Sequence, residues 1–140
     1  MDLKEKLELL RLNNKFKDFD GIKVLKIYSM DELTKREKNV LDSIDTDCNV
    51  YTDKMLLSAN YADYILWSKE KIEPYIQNSE VIIMDSYKLI FIMVENAEIF
   101  LESYFKKTES FCIYILNRKL MKWIVISKGE YFLEYFNKNI

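Results

Sequence analysis

The chain has 140 residues, 49% of them hydrophobic and 31% charged, a balance that excludes disorder and predicts one soluble domain over residues 1–140. Its 21 basic and 23 acidic side chains leave a net charge of -2, so we expect no nucleic-acid partner. No apolar run approaches the roughly 20 residues of a membrane helix, the N-terminus lacks a signal-peptide pattern, and the two cysteines are typical of reduced thiols. We therefore expect a cytoplasmic protein with no membrane partner.

Helical spacing of apolar residues marks the start of the chain. Leu3, Leu7 and Leu10 repeat at helical spacing that continues through Leu12, which predicts a helix that is stopped by Asn13 and Asn14. A short β-branched run at residues 22–28 follows and is a candidate fifth strand of the sheet.

The next helix is predicted from a capping box. Ser29 and Glu32 have the required spacing, and an apolar stripe follows them at positions 33, 40, 41 and 44. We expect the opposite face, with charged residues 35–38, to be solvated. Periodicity disappears over residues 45–53, which predicts a loop or short extended segment. Helical spacing resumes from Met55 to Trp67 and ends near Pro74.

Residues 80–127 predict the order strand, strand, helix, strand, strand. The strand candidates are β-branched and aromatic runs at residues 81–85, 89–94, 111–116 and 120–127. Residues 96–107 have a helical apolar stripe, and Asn96 is a suitable N-cap. The linkers at 85–88 and 116–119 are too short for anything except hairpin turns, so the helix joins two antiparallel hairpins.

Both faces of these strands are apolar, although a one-sided antiparallel sheet would alternate apolar with polar residues. The second face must therefore be covered by the chain's own helices, by a subunit partner or by a ligand, and the first of these is favoured. We predict an α+β fold with an antiparallel sheet of four to five strands, formed by two hairpins joined by a crossover helix and covered by the N-terminal helices.

The residue types present restrict the chemistry. There is no histidine, which excludes Ser-His-Asp and Cys-His sites and histidine general bases. The two glycines, Gly21 and Gly129, cannot build a P-loop or a dinucleotide fingerprint. Fragments of calcium loops near Asp18 and Asp45 lack the terminal bidentate carboxylate. We expect no cofactor, no metal site and no catalytic residues.

One surface feature remains, a run of acidic side chains with no Lys or Arg between Lys38 and Lys54. Its members are Asp42, Asp45, Asp47 and Asp53. Such a segment can steer and bind a cationic partner electrostatically. We predict that these four carboxylates bind a partner protein.

The strand, strand, helix, strand, strand tail resembles an arrangement met in several groups of small bacterial α+β proteins, some of which are immunity proteins to secreted toxins. The resemblance covers about half of the chain and assigns no residue a role. The leading hypothesis is a non-enzymatic protein-binding module, an immunity- or antitoxin-type inhibitor of a basic partner protein such as a toxin.

Two alternatives belong to other functional classes. The first is a structural or regulatory homo-oligomer such as a homodimer, in which a short terminal helix would present one aromatic stripe. That stripe would consist of Tyr131, Phe132, Tyr135 and Phe136. The second is a histidine-free enzyme that uses two close carboxylates, at least one of them with a raised pKa.

Overall fold

Four helices and seven strands occupy most of the residues that the computed structural model describes, which are 2–46, 51–57, 60–108 and 110–140. The helices are α1 (Leu3–Lys17), α2 (Lys35–Thr46), α3 (Tyr61–Ile72) and α4 (Ala97–Thr108), and short 3-10 helices cover Met30–Glu32 and Glu73–Tyr75. The strands are β1 (Ile22–Ser29), β2 (Asp53–Leu56), β3 (Glu80–Asp85), β4 (Lys88–Val94), β5 (Ile113–Asn117), β6 (Lys122–Lys128) and β7 (Phe132–Asn139).

Within the described ranges the strands join into one antiparallel sheet in the order β1-β4-β3-β5-β6-β7-β2. The two predicted hairpins are β3 with β4 and β5 with β6, and α4 connects them. β3 also pairs with β5, so the hairpins lie side by side. The strand candidate at residues 22–28 is β1, which pairs with β4 at the edge of the sheet. The predicted α+β class with an antiparallel sheet is confirmed.

The predicted number of four to five strands is wrong, because β2 and β7 extend the described sheet to seven. Helical spacing at Met55 and at residues 131–136 predicts helices, yet the segments that contain them form strands that pair with each other. β7 lies between β6 and β2, with Leu133 in the core on one face of the sheet and Phe136 in the core on the other. Apolar residues on both faces of a strand imitate helical spacing, and pairing with β6 decides the outcome.

Helices pack on both faces of the sheet. α1, α3 and α4 cover one face, in a core that includes Phe16, Ile72 and Phe100. α2 packs on the other face through Leu41 and Ile44, in a core that contains Trp123 of β6. The sheet is therefore the middle of three layers, and the two helices nearest the N-terminus lie on opposite sides of it.

α2 begins at a capping box that differs from the predicted one. The amide of Thr34 donates to Glu37 Oε1 (2.8 Å), and the amide of Glu37 donates to Thr34 Oγ1 (3.1 Å). Ser29 precedes the short 3-10 helix and makes no side-chain capping bond there.

The prediction that Glu37 lies on a solvated face is also wrong, since it is 5% exposed. Arg118, in the turn between β5 and β6, donates from Nε to Glu37 Oε2 (2.9 Å), so the carboxylate that closes this capping box also makes a long-range ion pair.

α1 continues past Asn13 to Lys17, which is longer than predicted. The second half of the helix carries its two buried side chains, Leu12 and Phe16, which pack in the core beneath α1 and extend it. None of the described helices combines the length and the apolar character that crossing a membrane requires.

Candidate functional site

The predicted partner-binding carboxylates do not all lie together. Asp42 and Asp45 are exposed on α2. Asp53 begins β2 and pairs with Lys71 of α3 (Oδ2 to Nζ, 2.6 Å), on the opposite side of the sheet from α2. Asp47 lies outside the described residues. The structure therefore brings Asp42 and Asp45 together and places Asp53 elsewhere.

Asp53 is already engaged within the chain. The hydrogen bond from Lys71, together with one from the amide of Lys54, holds the pKa of Asp53 below its usual value of 3.8. Its charge is therefore compensated locally, which reduces its contribution to an acidic field at the surface.

A groove of about 570 Å³ lies beside α2, and we call it the acidic groove. Its lining residues are Met30, Asp31, Leu33, Lys38, Leu41, Asp42, Asp45, Met84 and Tyr87. The lining contains three carboxylates and one ammonium group, so the net charge of the groove is negative. The four apolar side chains of the lining, which are Met30, Leu33, Leu41 and Met84, give it an apolar floor.

Asp45 is held at the edge of the acidic groove by a tyrosine of the sheet. Tyr114 Oη of β5 donates to Asp45 Oδ1 (3.0 Å). Burial, together with the charge of Asp45, raises the pKa of Tyr114 far above its ordinary value. The phenol therefore stays protonated at neutral pH and remains a donor, which orients the carboxylate of Asp45.

Tyr87 stands at the rim of the acidic groove, on the two-residue turn between β3 and β4. It is 85% exposed, and its φ of 60° and the φ of 52° at Ser86 are both left-handed. Such turns ordinarily carry Asn or Gly, and each left-handed non-glycine residue costs about 1–2 kcal/mol. Asp85 supports the turn, because it accepts from Ser86 Oγ (2.8 Å) and from Lys15 Nζ (2.6 Å).

A second concavity, of about 600 Å³, opens on the other side of this turn, where the pairing of β3 with β5 ends at Met84 and Tyr114. Its lysines have partners within the chain. Lys15 pairs with Asp85, and Lys107 Nζ donates to the carbonyl oxygen of Asp18. These contacts tie the C-terminal ends of α1 and α4 to the rest of the fold, which is a structural role.

Four described carboxyl and thiol groups have clearly shifted pKa values, and each shift is unfavourable for general-acid or nucleophilic chemistry. Burial and nearby carboxylates raise the pKa of the Cys112 thiol, which disfavours the thiolate. Glu37, Asp53 and Glu102 each have a lowered pKa, whereas a general acid needs a raised one. Across the described ranges, no group of three or more Cys, Asp and Glu side chains could hold a metal ion.

Sequence reasoning did not assign Asp31 or Tyr87 to the partner-binding site, although both line the acidic groove. Tyr87 had a recognisable signal, since a tyrosine in a two-residue hairpin turn replaces the expected Asn or Gly. Asp31 had no comparable signal, because its place in the same groove as Asp42 depends on how the 3-10 helix joins α2.

Comparison with protein-family models, with curated proteins and with solved structures finds no match to this chain.

Proposed function

We propose that the chain is a non-enzymatic protein-binding module whose acidic groove receives a basic segment of a partner protein. In its most specific form, the partner is a toxin and the chain is its immunity- or antitoxin-type inhibitor. The observation that carries the proposal is the combination of three carboxylates with an apolar floor in one groove of about 570 Å³.

Lysine and arginine side chains fit such a groove, because each has an aliphatic stem and a cationic head. The stem would pack on the methionines and leucines of the floor, and the head would pair with Asp31, Asp42 or Asp45. Arginine is the better fit, since its planar guanidinium can bridge two carboxylates.

The groove is partly preorganised. Tyr114 orients Asp45, and the ion pair of Lys15 with Asp85 supports the turn that carries Tyr87. Fixing these groups in the free protein reduces the ordering cost of binding. An exposed tyrosine at the rim is also the residue type favoured at the centre of protein interfaces.

The alternatives lack such support. The aromatic side chains that motivated the homo-oligomer lie at the start of β7 and along it, and Tyr135 and Phe136 are buried in the two cores of the chain. The carboxylate enzyme needs a carboxyl group with a raised pKa. The described carboxyl groups with a clear shift, which are Glu37, Asp53 and Glu102, all have a lowered pKa.

The experiment begins by co-expressing the chain with the products of neighbouring genes and selecting the one that co-purifies. The affinity of that complex is then measured by calorimetry for wild type and for the variant Asp31→Asn, Asp42→Asn, Asp45→Asn. We expect a loss of at least about tenfold, roughly 1.4 kcal/mol, and a weaker dependence on salt.

The control removes the same charge elsewhere, with Asp63→Asn, Glu70→Gln and Glu130→Gln, all at exposed positions. Its affinity should stay within about twofold of wild type, as for charges outside an interface. Equal losses in both variants would mean that net charge, not the groove, governs binding. A separate Asp47→Asn, Asp53→Asn variant tests the remaining predicted carboxylates.

A further inference from the structure

The N-terminal half of α1 presents a row of leucines to solvent. Leu3, Leu7 and Leu10 are 72%, 56% and 56% exposed. We call these three residues the leucine seam. The core-facing residues of the same helix, Leu12 and Phe16, are fully buried.

The leucine seam and the buried stripe lie on opposite sides of α1. Leu12 follows Leu3 by nine positions, and Phe16 follows Leu7 by nine. At 3.6 residues per turn, nine residues make two and a half turns, which reverses the direction of the side chain. Docking of α1 on the sheet therefore leaves the leucine seam facing outward.

The spacing of the leucine seam is that of one helix packing on another. Intervals of four and then three residues match successive d, a and d positions of a heptad, and Asn14 occupies the next a position. An asparagine at an a position is a known determinant of register in such pairs. Three aligned exposed leucines also form a contiguous apolar patch, which marks an interaction site where a single exposed leucine would not.

The charges beside the leucine seam are basic. Lys4 and Arg11 occupy the e positions and Lys6 the preceding g position, and all three are exposed. Arg11 also donates to Ser86 Oγ (3.0 Å), a neutral acceptor. Glu5 lies at an f position, away from the seam.

We infer that the leucine seam of α1 docks an amphipathic helix of another protein, one whose apolar a and d residues are flanked by acidic e and g residues. A second copy of this chain is disfavoured, because pairing two such helices would place Lys4, Lys6 and Arg11 beside their like-charged counterparts. An anionic membrane fits less well, since an a/d stripe is narrower than an interfacial face and carries no aromatic residue here.

The helix is prepared for this role. An isolated helix of this length would be marginal in water, but the buried side chains of Leu12 and Phe16 fold it against the sheet. A partner therefore meets a preformed helix and does not have to order it. This surface contributes no residue to the lining of the acidic groove, so the inference is independent of the proposed function.

The test uses a labelled, designed helical peptide of about four heptads with Leu at a and d and Glu at e and g. Fluorescence anisotropy measures its affinity for the full chain, and a peptide with Lys at e and g is the comparison. We expect the acidic peptide to bind at least about tenfold more tightly than the basic one, because charges at e and g set partner choice.

Two matched variants locate the contact. Leu7→Gln should weaken binding of the acidic peptide at least about tenfold, because it removes the central leucine of the seam. Leu66→Gln, on α3, changes a leucine that is equally exposed at 56%, and it should leave binding unchanged. Both variants should unfold in urea like wild type, since each position is at the surface.

Several results would overturn the inference. Equal binding of both peptides, or unchanged binding by Leu7→Gln, would remove the leucine seam as the docking surface. A molar mass that doubles as the protein concentration rises, and that stays at the monomer value in Leu7→Gln, would identify a second copy as the occupant. Binding to phosphatidylserine vesicles that Leu7→Gln abolishes, without peptide binding, would identify a membrane. Neutralising Asp31, Asp42 and Asp45 should leave peptide binding intact, which separates this test from that of the acidic groove.

Discussion

At the scale of single residues, Gly21 is the position where the backbone tolerates no side chain. Its φ is +78°, and its carbonyl accepts from the amides of Glu95 (2.8 Å) and Asn96 (3.0 Å) at the start of α4. A Cβ at this position would lie 2.5 Å from the carbonyl oxygen of Asn96. Gly21→Ala therefore combines a left-handed backbone with a backbone clash, and should lower the free energy of unfolding by about 2–4 kcal/mol in urea titrations.

Gly129 provides the control for this prediction. It lacks a left-handed φ, and a Cβ there would meet the end of the flexible Glu134 side chain at 3.1 Å. Gly129→Ala should therefore change the free energy of unfolding by less than about 1 kcal/mol. Similar losses at both glycines would show that the contact of Gly21 with α4 does not constrain the fold.

At the scale of elements, α4 is docked on the sheet through one face. Phe100 is fully buried, and its ring centroid lies 6.1 Å from that of Phe19 and 5.9 Å from that of Tyr104. Phe100→Ala should cost roughly 3–5 kcal/mol in urea unfolding, because lost transfer energy and a residual cavity add.

Glu102 lies on a more exposed part of the same helix and pairs with Lys106 (2.6 Å) and Lys69 (3.6 Å). Surface ion pairs contribute little, so Glu102→Ala should leave the free energy of unfolding nearly unchanged. Small and equal losses for Phe100→Ala and Glu102→Ala would contradict the docking of α4 on the sheet.

At the scale of the whole molecule, the pair of Glu37 and Arg118 connects the α2 layer to the hairpin of β5 and β6. Arg118 donates to both carboxylate oxygens of Glu37 (2.9 and 3.0 Å), and Trp123 Nε1 donates to the Glu37 carbonyl (2.8 Å). Burial by itself would raise the pKa of Glu37, but the hydrogen bonds from Arg118 and from the amide of Thr34 outweigh it. The pKa of Glu37 is therefore below its ordinary value of 4.5.

This shift contributes to the pH dependence of stability. A carboxyl whose pKa is lower in the folded state contributes stability above its unfolded pKa, and that contribution disappears as the pH falls through the folded value. We expect the free energy of unfolding to fall below about pH 4.5, and to fall less steeply in Glu37→Gln, which has no carboxyl to titrate.

The double-mutant cycle of Glu37→Gln with Arg118→Met isolates this pair. Its coupling energy in urea unfolding should be about 1–3 kcal/mol at pH 7 and should vanish at the lowest pH at which the chain stays folded. A coupling energy that does not change with pH would show that the two side chains interact through packing and not through charge.

The sequence by itself determined the elements whose signals are local. β3, β4, α4, β5 and β6 follow from apolar periodicity and from linkers too short for anything except turns. The N-cap at Asn96 also follows, and its side chain accepts from the amide of Ile99 (3.1 Å). These features depend on neighbours within a few residues, so no distant contact was needed to predict them.

Only the tertiary structure decided the features that depend on distant pairing. β2 and β7 are strands because they pair with each other and β7 with β6, despite their helical spacing. Glu37 is buried against the sheet, where it pairs with Arg118, which lies far along the chain. The acidic groove arose in the same way, since α2 carries Asp42 and Asp45 to the turn with Tyr87 while β2 carries Asp53 to α3. Burial and hydrogen bonding between distant residues outweigh local propensity, and local patterns do not encode them.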